Sequence, residues 1–394
     1  MNNHKRVFYF CSINSRQYEQ VLNQQLHIGA ATNKVLSVIS ALRSNDCKAY
    51  AVSLPVLGGG SKIKSVKKIL LKEKGNPIIY MPVVSNPILR RLLGIVYFAG
   101  FCLFTVKNQD RVLVYNGSPE YILALLVLKL KGNPAIVDVE DAPYNEGGGF
   151  RYIMDKITFK ITVALCRKKY ITVSAQVARN LKLQSFYVVY GAVNKKITLN
   201  LNNKNEENVI RILYGGSLCD DTGLTLFCDT FRLLCNRSSQ NNVRIVFVVT
   251  GFGGVDRLRE LESETESKNV RIELRSNLPF TEYQTIFNTC HAGLCLKMPD
   301  SAMGSTTFPS KVVEITTGGL LLISTKASDI PILFSNSDAL LLDEATPEKL
   351  CAAINWVANN PDEWKACAIR GQARAMELFA EDNVGKNIKD LIFQ

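Results

Sequence analysis

Strand-length apolar runs alternate with stretches of helical spacing along this chain, and the alternation starts afresh halfway through. In the first half the runs 7–13, 48–54, 78–82, 111–115, 135–139, 169–173 and 186–190 predict buried strands. In the second half the runs 209–214, 243–250, 270–274, 292–296, 320–324 and 339–342 do the same, with helices between them. Strands that alternate with helices predict mostly parallel sheets covered on both faces, an α/β class. Between the halves the polar, asparagine-rich stretch 194–208 reads as an interdomain linker. The expected organisation is a doubly wound domain over 1–195, a linker over 196–208, a second doubly wound domain over 209–375, and a helical tail over 376–394. In such sheets ligands bind beyond the carboxyl ends of the strands, so the loops that follow strands carry the candidate chemistry.

Two segments of the first half depart from this pattern. Residues 62–74 are basic and amphipathic, and the nearly polar-free run 92–106 is flanked by Arg90, Arg91 and Lys107. That run of about fifteen residues is shorter than the roughly twenty needed to span a bilayer. It reads either as a buried helix of the sheet sandwich or as a helix docked at a membrane interface, with aromatic rings among headgroups and arginines on anionic phosphates.

At 394 residues the chain is too long for one ordinary core, and 47% hydrophobic with 21% charged residues excludes a disordered chain. The 11 cysteines are scattered without a C-x-x-C pair, which suits small buried apolar residues in a reducing compartment. With His4, His27 and His291 the only histidines, no metal site is expected. The first apolar run is too short for a signal peptide, so cytoplasmic residence is expected. The net charge of +12 is uneven: residues 1–195 hold 27 Lys and Arg against 10 Asp and Glu, whereas residues 196–394 hold 20 against 25. A basic first half points to an anionic partner, either a membrane surface or nucleic acid. No aromatic-interleaved basic strand is present, so no nucleic acid is expected.

One run of the second half is dense in signals. From Thr306 to Thr325 it reads as loop, helix start, helix, glycine stop and buried strand. Ser310 and Lys311 at a helix N-terminus make a phosphate-binding arrangement, because unpaired N–H groups and the positive end of the helix dipole point the same way as the lysine. Glu314, a turn further on, is placed to accept hydrogen bonds from vicinal hydroxyls such as those of a ribose. Two glycine loops follow the preceding strands: Gly215 and Gly216 before Ser217, and Gly251 within Thr250-Gly251-Phe252-Gly253-Gly254. In the first half residues 27–34, with Gly29, Thr32, Asn33 and Lys34, read as a loop before a helix over 35–43, and Glu140 and Asp141 follow the strand around Val137.

Together these motifs resemble a GT-B glycosyltransferase, most closely the large retaining family called glycosyltransferase family 4 or group 1. The resemblance rests on Tyr214-Gly215-Gly216-Ser217 with Thr222-Gly223-Leu224, on Val249-Thr250-Gly251-Phe252-Gly253, on Leu278-Pro279-Phe280, and on Phe308-Pro309-Ser310-Lys311-Val312-Val313-Glu314. Thr317-Gly318, Ile323-Ser324-Thr325 and Ser328-Asp329-Ile330-Pro331 continue it. It implies two Rossmann-like domains facing across a cleft, the first binding acceptor and the second the nucleotide sugar. It also implies that the tail 376–394 crosses back to the first domain. The family's E-x7-E motif puts its second glutamate at Glu314 and its first position at Thr306. Members often hold the diphosphate with an Arg and a Lys on the first loop of the donor domain. Here those places are Ser217 and Thr222, which makes Lys311 the replacement cation.

The resemblance further implies transfer of a sugar from a nucleoside diphosphate sugar to a glycan hydroxyl with retention, without metal or other cofactor. The loop with Gly29, Thr32, Asn33 and Lys34 then faces acceptor or donor phosphate, and Glu140 or Asp141 orients or deprotonates the acceptor hydroxyl. His27 is a further candidate base, although a lone loop histidine is more often structural. The basic first half then fits a polyprenyl-diphosphate-linked acceptor at the inner face of a membrane, as in bacterial surface polysaccharide assembly of O-antigen or capsule. Two alternatives stand beside this reading: a non-catalytic GT-B partner subunit, and a nucleotide-sugar epimerase on the same fold.

Overall fold

The computed structural model describes residues 5–24, 26, 29–57, 63–140, 149–194, 208–237, 243–264, 269–275, 278–301, 304 and 307–394. The chain divides into one unit of Met1–Val193 with Phe379–Gln394 and another of Asn194–Leu378. The first unit opens with β1 (Arg6–Cys11), α1 (Arg16–Leu22), α2 (Ala30–Ser44) and β2 (Lys48–Ser53). Then come β3 (Ser65–Val66), β4 (Ile69–Glu73), β5 (Asn76–Tyr80), β6 (Val83–Val84) and the long helix α3 (Pro87–Phe104). It continues with β7 (Arg111–Tyr115), α4 (Ile122–Leu130), β8 (Ile136–Val139), α5 (Phe150–Leu165), β9 (Tyr170–Thr172), α6 (Ala175–Asn180) and β10 (Phe186–Val188).

Eight strands form one sheet in the order β10-β9-β8-β7-β1-β2-β5-β4, and only the β4–β5 pair is antiparallel. Both faces of β1 are apolar, which is why helices cover it twice. Val7, Tyr9 and Cys11 pack with Val35, Ile39 and Leu42 of α2. Phe8 and Phe10 face the other way, onto Phe101 and Phe98 of α3 at centroid distances of 5.1 and 4.8 Å.

Within the basic, amphipathic stretch 62–74 the described part holds two strands: from Ile69 to Glu73 exposure alternates with period two, and this strand pairs with β5 at the sheet edge. Its lysines are those of a protected edge. Helix α3 is capped by Asn86, whose side chain accepts from the N–H groups of Ile88 and Leu89 at 3.0 Å, and Pro87 sits at its first turn. One face, with Gly94, Phe98, Ala99, Phe101 and Cys102, is buried. Only 28% of the helix is buried inside the protein, so it is neither a core helix nor free of the sheet.

The second unit runs β11 (Val209–Ser217), α7 (Leu224–Arg237), β12 (Arg244–Phe252), α8 (Val255–Glu264), β13 (Val270–Leu274), α9 (Phe280–Thr289) and β14 (Ala292–Cys295). It continues with α10 (Ser310–Thr317), β15 (Leu321–Thr325), α11 (Ile330–Leu333), β16 (Leu340–Leu342), α12 (Pro347–Asn359) and α13 (Pro361–Phe379). Its six strands are all parallel in the order β13-β12-β11-β14-β15-β16, so successive strands are added outward in one sense from β11 to β13 and in the other from β14 to β16. Arg211 of β11 reaches Glu273 of β13 at 2.7 Å, both largely buried. His291 is a core residue: it is 5% exposed, its Nδ1 accepts from the Arg211 N–H at 2.9 Å, and its ring meets Trp364 edge-on.

The last helix, α14 (Glu381–Phe393), belongs to the first unit. Val384, Ile388 and Ile392 join the cluster built by Ile39 and Leu42 of α2. Gly385 makes the approach possible, since a Cβ there would lie 1.8 Å from the Ala41 carbonyl oxygen. All 11 cysteines are free thiols, and most are buried.

Candidate functional site

The change in the sense of strand addition between β11 and β14 marks the carboxyl ends of those strands as the place where doubly wound sheets bind ligands. β11 and β12 run in register to their ends, with Gly215 opposite Thr250, Gly216 opposite Gly251, and Ser217 opposite Phe252. A Cβ on Gly251 would lie 2.1 Å from the Gly216 carbonyl oxygen, so only glycine permits these two strand ends to lie this close. Gly216 has φ of +109°, which strongly favours glycine. Beyond it, Thr222 closes the turn: its hydroxyl donates to the Ser217 carbonyl at 2.6 Å and accepts from the Cys219 N–H at 3.1 Å. Ser217 itself is exposed, and Phe252 is 67% exposed at the end of β12.

Helix α10 starts at Ser310 after Pro309, which as N-cap supplies no capping side chain, and the buried Phe308 anchors the approach. The exposed Ser310 and the first N–H groups of the helix therefore present an electropositive end. Lys311 lies over the first glycine loop: its Cε is 3.5 Å from where a Gly216 Cβ would stand. Its Nζ donates to Glu314 Oε2 at 2.7 Å and to the Tyr283 hydroxyl at 3.1 Å, and sits 5.2 Å from the Tyr283 ring centre. Burial, and then the Glu314 carboxylate with which it hydrogen bonds, push the Tyr283 hydroxyl well above its ordinary pKa. Lys311, Glu314 and Tyr283 thus form a closed cluster at the helix start. Thr306, the other position of the E-x7-E spacing, lies outside the described residues.

A second cation at this edge escaped the sequence reading. Lys297, two residues after β14, is 5% exposed, and its Nζ donates to the Thr307 hydroxyl and, at 3.4 Å, to the Thr307 carbonyl. Its backbone carbonyl accepts from the Thr325 hydroxyl at the end of β15. Burial raises the pKa of the Cys295 thiol, while Lys297 and Lys311 both act to lower it, which places the two ammonium groups near one strand end. The signal was there: a lysine directly after the apolar run Ala292-Gly293-Leu294-Cys295-Leu296, on the ligand-binding side of a strand.

In the first unit the predicted residues fall into different roles. Gly29 is the N-cap of α2 and Asn33 is exposed on its first turn. Thr32 is 3% exposed and its hydroxyl donates to the Asn14 carbonyl at 2.9 Å, so it fastens loop to helix. Lys34 pairs with Glu140 at 2.5 Å with both side chains nearly buried, and also donates to the Val189 carbonyl. Burial opposes the Lys34 charge, but Glu140 and Asp138 outweigh it and hold its pKa above the ordinary value. Asp138, wholly buried, accepts from the Tyr9 hydroxyl; burial raises its pKa against the opposing pull of Lys34. Glu140 is aimed by Asn116, whose side-chain oxygen accepts from the Glu140 N–H at 2.8 Å. The charge of Lys34 is therefore directed at two carboxylates of its own unit. His27 and Asp141 lie outside the described residues, as does most of the 196–208 linker.

Residues 232–388 match a family described as Glycosyl transferase-like. No curated protein matches the chain. Among solved structures, Anabaena HepE in complex with UDP and glucose is similar, with a TM-score of 0.67 at 14% identity over 98% of this chain and 99% of that one. A glycosyltransferase from Rickettsia africae ESF-5 aligns with a TM-score of 0.67 at 16% identity over 99% and 98%. Sucrose-phosphate synthase from Thermosynechococcus elongatus does so with 0.67 at 12% identity over 98% of both chains. At such identities the likeness speaks for the fold alone: the chain has the GT-B fold, and residues 232–388 match the glycosyl transferase-like family.

Proposed function

We propose that this protein is a glycosyltransferase that moves a sugar from a nucleoside diphosphate donor to a hydroxyl of a glycan acceptor with retention at the anomeric carbon, in the manner of family 4. The observation that carries the reading is Lys311 laid over Gly216 at an uncapped helix start, with Glu314 one turn further on. Before donor binds, Lys311 neutralises Glu314. When a diphosphate enters, the ammonium group turns to it, and the released carboxylate accepts hydrogen bonds from the ribose hydroxyls.

The bond between the anomeric carbon and the diphosphate oxygen then breaks, and the electron pair leaves with the diphosphate. Lys311, the N–H groups of α10 and the backbone of Gly215 and Gly216 meet that growing charge, with Lys297 as a buried cation behind them. The reading assigns leaving-group stabilisation to these groups and to no metal. The acceptor oxygen bonds to the anomeric carbon on the face the diphosphate leaves, and its proton passes to the departing diphosphate oxygen. Glu140 is the candidate to orient that hydroxyl, its position set by Lys34 and Asn116. That several similar structures hold UDP, UDP-glucose or glucose supports a nucleotide sugar as donor. The basic first half supports an acceptor carried on a polyprenyl diphosphate at the cytoplasmic face of a membrane, as in surface polysaccharide assembly.

Nucleotide release measured with a panel of nucleoside diphosphate sugars, with and without a lipid-linked acceptor, tests the reading. Acceptor-dependent release abolished by Glu314→Ala supports it. Acceptor-independent release of a rearranged sugar nucleotide would instead identify an epimerase, and binding without turnover a partner subunit.

A further inference from the structure

We propose that the outward faces of α3, α4 and α5 form one docking surface for an anionic lipid bilayer. Among the described residues, 13 of the 19 large apolar side chains left exposed lie on these three helices, which follow one another in the chain. The placement is regular. On α3, Ile88, Leu92 and Val96 repeat every four residues and are 71, 56 and 61% exposed. Leu123, Leu126 and Leu130 form an outward stripe on α4, and Ile153, Ile157 and Ile161 form one on α5.

The helices are held side by side by two lysines that bond neighbouring helix ends. Lys131, just after α4, donates to the Cys102 carbonyl of α3 at 2.9 Å, and Lys129 donates to the Ala164 carbonyl of α5 at 3.0 Å. The three stripes therefore lie on adjacent helices of one sheet face, whose inner side is fixed by Phe98 and Phe101 on Phe8 and Phe10. That inner packing rules against a spanning helix: α3 lies along the sheet and offers its other side outward.

Charge selects the occupant. Over 87–107, 122–131 and 150–169 there are eleven Lys and Arg against one acidic residue, Asp155. Lys107, Lys129 and Lys168 are exposed at the C-terminal ends of the three helices. Phe104 and Leu130, 89 and 79% exposed, stand at the ends of α3 and α4. Apolar side chains ringed by basic ones match acyl chains beneath anionic phosphates. A protein partner would draw on Trp and Tyr anchors, whereas ten of the thirteen exposed apolar side chains here are Leu or Ile. The surface takes part in no step of the transfer reaction, so its failure and that of the transferase reading are separable.

Flotation of the full chain with phosphatidylcholine vesicles, with and without phosphatidylglycerol, tests it. The wild type is expected to float with the anionic vesicles and to lose most of that binding at high salt. The pair Phe104→Glu and Leu130→Glu should cut the bound fraction about tenfold or more, while Ile369→Glu, an exposed apolar position on α13, leaves it unchanged. Because the two altered positions are exposed, circular dichroism should be unaffected. A Phe104→Trp variant should show blue-shifted emission and quenching by brominated lipid. Equal flotation of the double variant and the wild type, or indole emission from the Phe104→Trp variant that does not respond to lipid, would overturn the proposal. So would a discrete dimer dissolved by Phe104→Glu, which would assign the face to a second copy of the chain.

Discussion

Lys311→Ala isolates the group on which the donor reading turns. At about 3 Å from a phosphate oxygen, and with an effective dielectric near 20, the ammonium group attracts one negative charge by about 5 kcal/mol. Exchange for water reduces the net contribution of such a charged hydrogen bond to about 1.5–3 kcal/mol. That corresponds to a loss of roughly 10- to 150-fold in kcat/KM for the nucleotide sugar. The cost to stability is of another order. Lys311 and Glu314 form a partly exposed i,i+3 pair on a short helix, with side chains 28 and 37% exposed. Such pairs contribute about 0.3–0.5 kcal/mol, and a unit of this size then loses only ~1–2 °C in Tm. A coupled assay of nucleoside diphosphate release, run beside a thermal melt, reads both quantities. Turnover within twofold of wild type would refute the assignment, and so would an activity loss that merely tracks a large fall in Tm.

Other substitutions probe the frame around this cluster. Gly251→Ala places a methyl 2.1 Å from the Gly216 carbonyl oxygen and should destabilise the second unit by about 2 kcal/mol or more, read by urea unfolding. Lys34→Met leaves Glu140 and Asp138 without their buried cation and should cost about 3–5 kcal/mol, much of it recovered when Glu140→Gln is added, a coupling measurable by a double-mutant cycle. Burial works against the Glu273 carboxylate, but Arg211, with Arg271 and Arg275, outweighs it and holds its pKa below the ordinary 4.5. The stability this contributes is therefore full above pH 4.5 and lost as pH falls through the depressed value, and Glu273→Gln should flatten that acid limb in a pH series of unfolding curves.

Much of the architecture could be read from apolar periodicity, because a sheet covered on both faces needs unbroken apolar strands such as Val7–Cys11 and Ile245–Val249. The strand at Ile69–Glu73 was harder to see, since lysines that protect a sheet edge break the apolar run by which buried strands were recognised. The run at 92–106 left two readings open because burial depends on what lies opposite: Phe8 and Phe10 cover one side of α3 and no side chain covers Ile88 or Val96 to the same extent. In the candidate site, glycine loops and a lysine at a helix start are local features and were legible. The pairing of Lys34 with Glu140 joins the start of α2 to the residue after β8, far apart in sequence, and the seating of Tyr283 between Lys311 and Glu314 depends on α9 packing beside α10; neither leaves a local trace.

The docking of α14 on α2 has a consequence for how the protein is made. A ribosome releases β1 and α2 early, yet the helix that covers Ile39 and Leu42 is drawn from residues 381–393. At roughly 5–20 residues per second, synthesis of the intervening Asn194–Leu378 unit takes on the order of 10–40 s. During that time the second unit can form from contiguous chain, while the first, begun earlier, keeps an apolar flank open to chaperones. The order of synthesis and the order of completion are thus reversed between the two halves.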